Sequence, residues 1–152
     1  MAKGTNNQIT EPVAKLLQDK NFASLSTLMS DGSPQVTPTW VDVDIEDNVI
    51  LINTTEGRLK SKNISRDPRV ALSITDRFNP YNMVTIKGKV ISQTNQGADE
   101  HIDKLAKKYL DVDRYPRALE SLRPSDEKRI ILKIKPEKIF HFPFSFDKIL
   151  GR

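Results

Sequence analysis

The chain contains no cysteine. That one absence excludes disulfides, thiolate nucleophiles, iron–sulfur clusters and cysteine-based zinc sites together. Histidine is nearly as scarce, with His101 and His141 alone and far apart in sequence, so no metal site is expected. Aromatic residues make up only 7% of the chain. The strand-like segments show no pattern of exposed aromatics alternating with basic residues, so the stacking platform of a nucleic-acid-binding sheet is missing. Nowhere does an apolar run approach the roughly 18 residues that would raise a membrane-spanning helix. The opening "MAKGTNNQIT" has no apolar segment behind its single lysine, and no secretory signal is read there. A cytoplasmic protein with no membrane and no nucleic-acid partner is therefore expected. Neither sign of charge dominates: 24 basic against 20 acidic residues leave a net charge of +4, which favours an anionic partner without choosing one.

What is present suits one globular domain. The 152 residues, 37% hydrophobic and 29% charged, are enough for a core and hard to divide in two. A single domain over residues 1–152 is expected, with residues 1–8 as a flexible tail. "EPVAKLLQDKN" places Val13, Leu16 and Leu17 at helical spacing behind Thr10. From Phe22 the period changes to two, with Ala23, Leu25, Thr27 and Met29 on one face and a hairpin turn at Ser30-Asp31-Gly32-Ser33. "NVILINTT" is dense enough in β-branched and apolar residues to be buried on both faces. "RVALSITD" and "MVTIKGKVISQ" give two further strands, and Gly88 within the second suggests a bulge or a close backbone approach. "ADEHIDKLAKKYL" predicts a helix with Ile102, Leu105, Ala106 and Tyr109 inward and Asp99 and Glu100 at its positive end. "RIILKIKPEKIFHFPF" reads as a strand, a break at Pro136 and a second short strand. Six or seven strands with few helices predict a mainly β, closed or nearly closed antiparallel barrel.

One stretch stands apart. "EGRLKSKNISRDPRV" carries five cationic side chains between two strands. In a helix, Arg58, Lys62 and Arg66 fall within about 80° of one another, as on a solvated face. Lys60 points about 200° from Arg58 and only about 40° from Ile64, toward the core side. An ammonium there needs a partner. Either it snorkels to solvent while Thr54 and Thr55 cap the helix, or it meets an anion at the helix N-terminus, where free N–H groups and the dipole favour negative charge. Trp40 reads as a core anchor, and Asn63, Asp67 and Pro68 as helix-end and turn residues.

The run "SPQVTPTWVDVDIEDNVILINTTEGRLKSKNISRDPRVALSI", Ser33 to Ile74, resembles the pyridoxamine 5′-phosphate oxidase-like flavin and deazaflavin split-barrel superfamily. "LAKKYLDVDRYP" and "RIILKIKPEKIFHF" further resemble its small F420-dependent oxidoreductase branch, so the likeness runs from Phe22 to Phe142. It implies a six-stranded antiparallel split barrel of the flavin-reductase type, forming a homodimer with cofactor grooves at the interface. It implies F420 as cofactor, with FMN as the alternative, and hydride transfer to a small conjugated organic substrate. A pyridoxamine-phosphate-oxidase-like activity and a non-catalytic flavin or F420 carrier are the other readings it allows. Carried over, Lys60 is the position whose ammonium meets the cofactor phosphate, with Arg58 and the intervening Leu59 beside it. Thr54 supplies a hydroxyl toward phosphate or ribityl chain. Thr37, Pro38 and Thr39 lie along the flavin or deazaflavin ring, and Tyr81 stands near the pocket, against the partner subunit's cofactor. No catalytic side chain is implied, because the cofactor carries the hydride chemistry. The likeness does not extend to the C-terminal substrate-binding region of the oxidase proper, so pyridoxamine phosphate oxidation is the less expected activity, and Arg58 replaces a serine common among FMN binders.

Overall fold

Alternating burial along antiparallel strands organises the computed structural model, which describes residues 3–110 and 127–151. In chain order the elements are β1 (Lys3–Asn6), α1 (Glu11–Gln18), β2 (Ala23–Leu28), β3 (Pro34–Thr39), β4 (Asp42–Asp44), β5 (Val49–Thr55), α2 (Leu59–Arg66), β6 (Arg69–Thr75), β7 (Asn82–Thr94), α3 (Ala98–Tyr109), β8 (Arg129–Pro143) and α4 (Phe146–Ile149). Every pairing is antiparallel. The path runs β3-β2-β6-β7-β8-β5-β4, with β1 added to β8.

The 15-residue β8 is the spine. One of its edges is occupied by β7. The other is shared, with β5 on Arg129–Ile134 and β1 on Ile139–His141. A strand that serves two partners in succession bends the sheet around the core of Leu16, Leu17, Leu25, Ile50, Ile52, Ile74, Ile86, Leu132 and Ile134. The ends of the path, β3 and β4, follow one another through Trp40 and Val41 but do not pair. The barrel is therefore split, as its family likeness implies.

Among the described residues its sheet has eight strands rather than six. The extra members, β1 and β4, span 4 and 3 residues, too few for a periodic signal. Lys3–Asn6 belongs to the stretch expected to trail as a tail. It pairs with β8, and the Ile9 N–H donates to Asn48 Oδ1 at 2.8 Å just beyond it. Part of "LAKKYLDVDRYP", from residue 111 on, lies outside the described residues.

The expected break at Pro136 does not occur, because β8 passes straight through it. Pro136 stands opposite Gly88, where the β7–β8 register shifts. A bulge leaves a residue outside the regular ladder, so the missing proline N–H is not needed there. Gly88 is what allows the close approach: a Cβ at this position would run into the Lys135 carbonyl oxygen and stand 3.2 Å from Ile134 Cγ2. Gly88→Ala is expected to lower stability by about 1–2 kcal/mol through forced backbone displacement, measured as a reduced urea midpoint at unchanged slope.

A candidate anion-binding cavity

A cavity of about 290 Å³ opens where the C-terminal ends of β3 and β5 meet the start of β8, the first turn of α2 and the inner face of α3. Its wall comprises Phe22, Pro38, Thr39, Trp40, Asn53, Thr54, Arg58, Lys60, Ile102, Leu105 and Arg129. Hollows of about 430 and 470 Å³ lie elsewhere on the surface, so size does not single this one out. Its charge does, because among the described residues three cations and no carboxylate line it.

Lys60 is half-buried in the first turn of α2, on the side of the buried Ile64, while Lys62 is exposed. Burial lowers the Lys60 pKa from its ordinary value, and the neighbouring Arg58 and Arg129 lower it further. The ammonium is thus held where the protein itself disfavours its charge, which a bound anion would relieve. Arg58 is the N-cap residue and offers no capping bond. Its guanidinium is fixed instead by Nε donating to Thr55 Oγ1 at 2.7 Å and by a 3.4 Å contact with Glu127. Thr54 and Thr55 are buried at the end of β5 and do not cap α2. The third cation, Arg129, reaches the site because β8 begins opposite Thr55. Burial and Arg58 lower its pKa, against Glu127 and Asp99.

The other end of the cavity is aromatic. Trp40 stacks on Tyr109, with ring centroids 5.2 Å apart and 3° between planes, and Phe22 meets Tyr109 edge-on at 5.5 Å. The Tyr109 hydroxyl donates to the Asn21 carbonyl at 2.6 Å and accepts from the Val41 N–H at 3.1 Å. Burial pushes its pKa up to about 12, so it remains a neutral strut. Lys108 donates to the carbonyls of Leu17 and Val41, each at 2.7 Å, and burial lowers its pKa to about 8. Together these bonds tie the end of α3 to α1 and to the β3–β4 link. Trp40, expected as a core anchor, is only half-buried and forms cavity wall.

Behind the wall lies a polar line that sequence reasoning missed. Asn53, Asp42 and His101 are all buried. Asn53 Nδ2 donates to the Ala98 carbonyl at 2.8 Å and lies 3.3 Å from His101 Nδ1. His101 Nε2 is 3.1 Å from Asp42 Oδ2, which also accepts from Lys104 Nζ at 3.0 Å. Burial by itself would raise the Asp42 pKa, but the bonds from His101, the Val43 N–H and Lys104 outweigh it and hold the carboxyl far below the usual carboxylate range.

Of the residues expected at the site, Pro38, Thr39, Thr54, Arg58 and Lys60 line the cavity. Thr37 is half-buried one step back along β3, opposite Leu25, and Leu59 is 47% exposed beside Lys60; neither lines it. Tyr81 belongs to the β6–β7 turn, next to Asn82, which pairs with Pro143 at the far end of β8 from Arg129. Sequence reasoning also missed Phe22 and Arg129, which only strand pairing and chain reversal bring here. Arg66, read as meeting only water, donates to the Leu28 carbonyl and to Asn63 Oδ1, each at 2.8 Å. Asn63, read as a helix-end residue, is buried and donates to Thr27 Oγ1 at 3.0 Å.

Comparison with known proteins supplies a context for this geometry. The family profile described as pyridoxamine 5′-phosphate oxidase matches residues 9–142. No curated protein matches the chain. Among solved structures, an F420 reductase is 27% identical, with a TM-score of 0.66 over 82% of this chain and 93% of its own. A conserved hypothetical protein from Mycobacterium tuberculosis is 20% identical, with a TM-score of 0.67 over 94% of this chain and 88% of its own. General stress protein 26 from Bacillus anthracis is 20% identical, with a TM-score of 0.62 over 88% and 94%. The last two share the fold.

Proposed function

The chain belongs to the pyridoxamine 5′-phosphate oxidase family, and from that premise we propose that it is a cytoplasmic F420-dependent oxidoreductase acting on a small conjugated organic substrate. The observation that carries this reading is the convergence of Arg58, Lys60 and Arg129 on a cavity that no carboxylate lines among the described residues. A phosphate fits there: Lys60 meets it as a point charge, Arg58 as a fork already oriented by Thr55, and the open N–H groups of α2 add their dipole. The likeness to an F420 reductase favours the deazaflavin over FMN, and the cationic surplus suits a cofactor with further acidic groups on its tail. Thr54 and the β3 residues Pro38 and Thr39 border the ribityl chain and ring. Bound there, the cofactor supplies the hydride; the protein orients it and excludes water. Trp40, Phe22, Ile102 and Leu105 provide the apolar, water-excluding part of the wall.

The reading includes a homodimer. At about 290 Å³ the cavity sits at the lower limit of small-molecule sites, enough for one end of such a cofactor, and a second copy of the chain completes the groove. Tyr81, 41% exposed at the opposite end of β8, is then the residue offered to the partner's site.

The test exploits the only tryptophan, which lies in the cavity wall. Titration with F420 and with FMN is expected to change Trp40 emission, with the F420 dissociation constant below about 100 µM, roughly −5.5 kcal/mol. Reduced F420 is then expected to be oxidised by members of a panel of quinones, enones and tetrapyrroles. Tighter binding of FMN would transfer the reading to a flavin enzyme, binding without turnover would make the protein a carrier, and binding of neither would end the oxidoreductase reading.

A further inference from the structure

We infer that Asn63 is a positioning residue for the anion site: bonded across to β2, it fixes the rotation and depth of α2, so that Lys60 and the first N–H groups of the helix face the cavity. The inference rests on the reading of the cavity as an anion site. α2 has eight residues, and the side chains it buries are Ser61, Asn63 and Ile64. A helix this short is not stable by itself, so its contacts place it. Ile64 is its one buried apolar side chain, and apolar contact is non-directional. Hydrogen bonds weaken steeply when misaligned and therefore select one rotation.

The bonding partners fix the orientation of the amide. The Arg66 guanidinium can only donate, so the Asn63 atom that meets its Nη2 at 2.8 Å is Oδ1. Nδ2 is then turned to β2, where it donates to Thr27 Oγ1 at 3.0 Å and lies 3.3 Å from Met29 Sδ. The same Arg66 nitrogen donates to the Leu28 carbonyl at 2.8 Å, so the consecutive residues Thr27, Leu28 and Met29 hold the second turn of α2. From β7, Gln93 Nε2 donates to Ser65 Oγ at 3.1 Å, and Ser65 Oγ in turn donates to the Ser61 carbonyl at 3.0 Å. Asn63 follows Lys60 by three residues, about 60° around the helix and about 4.5 Å along it, so a turn or slide of α2 at Asn63 is carried directly to Lys60. Asn63 and Thr27 are both buried and stand outside the cavity lining. An apolar residue of similar size would fill the same space without the cost of burying an amide. A buried polar group with its partners in place instead specifies one arrangement, and a binding site needs its groups held within about 0.5 Å.

Sulfate, titrated at constant ionic strength, is the probe, and Thr27 supplies variants outside both α2 and the cavity. Thr27→Val keeps the volume and removes the acceptor; Thr27→Ser keeps the acceptor and removes a methyl group. Thr27→Val is expected to weaken sulfate binding about five- to tenfold, while Thr27→Ser, with a lower urea midpoint than wild type, retains wild-type affinity. In a double-mutant cycle, Lys60→Ala is expected to weaken sulfate binding about tenfold in the wild-type background but only about twofold or less with Thr27→Val or Asn63→Leu, because a displaced Lys60 has little contact left to lose. Ile64→Val controls for stability alone, and a lower urea midpoint with unchanged sulfate affinity is expected. Wild-type affinity in Thr27→Val, a loss in Thr27→Ser equal to that in Thr27→Val, or an undiminished Lys60 effect in the altered backgrounds would each overturn the inference while leaving the anion site standing. Absence of Lys60-dependent sulfate binding in the wild-type protein would overturn both.

Discussion

Lys60→Ala is expected to weaken binding of the phosphorylated cofactor by about 1.5–3 kcal/mol, roughly ten- to hundredfold, the scale of a charge-assisted hydrogen bond. Lys62→Ala, two residues on and exposed, is expected to leave affinity unchanged in the same fluorescence titration. Stability separates a binding lysine from a structural one. The folded protein lowers the Lys60 pKa through burial, Arg58 and Arg129, so folding disfavours the charged form. Removing the amine is expected to leave the urea midpoint unchanged or raised, whereas a lysine held in a stabilising ion pair would lower it. Unchanged cofactor affinity in Lys60→Ala would count against the phosphate assignment.

Asp42→Ala is expected to destabilise the fold by about 2–4 kcal/mol, because the loss leaves the Val43 N–H and the buried His101 ring nitrogen without their acceptor. The pH dependence gives the sign. The folded-state pKa of Asp42 lies well below its unfolded value, so its contribution is complete above about pH 5 and disappears as pH falls through the carboxylate range and below it. Wild type and variant are therefore expected to differ most near neutrality and to converge in acid. Urea unfolding followed from pH 7 to pH 3 measures this directly; a constant difference across the range would show that the carboxylate's charge contributes nothing.

How much of this was legible follows from what each feature depends on. The alternation Ala23, Leu25, Thr27 marked β2, and its burial repeats that alternation. The β-branched and apolar density of β5 was readable in another way, as a strand buried on both faces. Lys60 was singled out by helix geometry alone, since an angle of about 100° per residue holds for any helix. Tyr81 was placed near the pocket by likeness, and in one chain it lies at the other end of β8 from Arg129. Pro136 was read as a break because a proline removes a ladder donor. Its partner Gly88 is distant in sequence, and no local pattern says that a bulge will absorb the loss.

The family resemblance added that the barrel is split, while periodicity and helix geometry determined, by themselves, a mainly β antiparallel barrel and the cation at the head of α2. Those are properties of neighbouring residues, fixed by backbone angles. Tertiary structure decided the rest: Arg129 joined Arg58 and Lys60 through the β5–β8 register, Trp40 moved from core to wall by stacking on Tyr109, and His101 came between Asp42 and Asn53. Each of those contacts joins residues far apart in the chain, and a buried polar group selects its partner by distance and donor–acceptor fit, which the chain acquires only on folding.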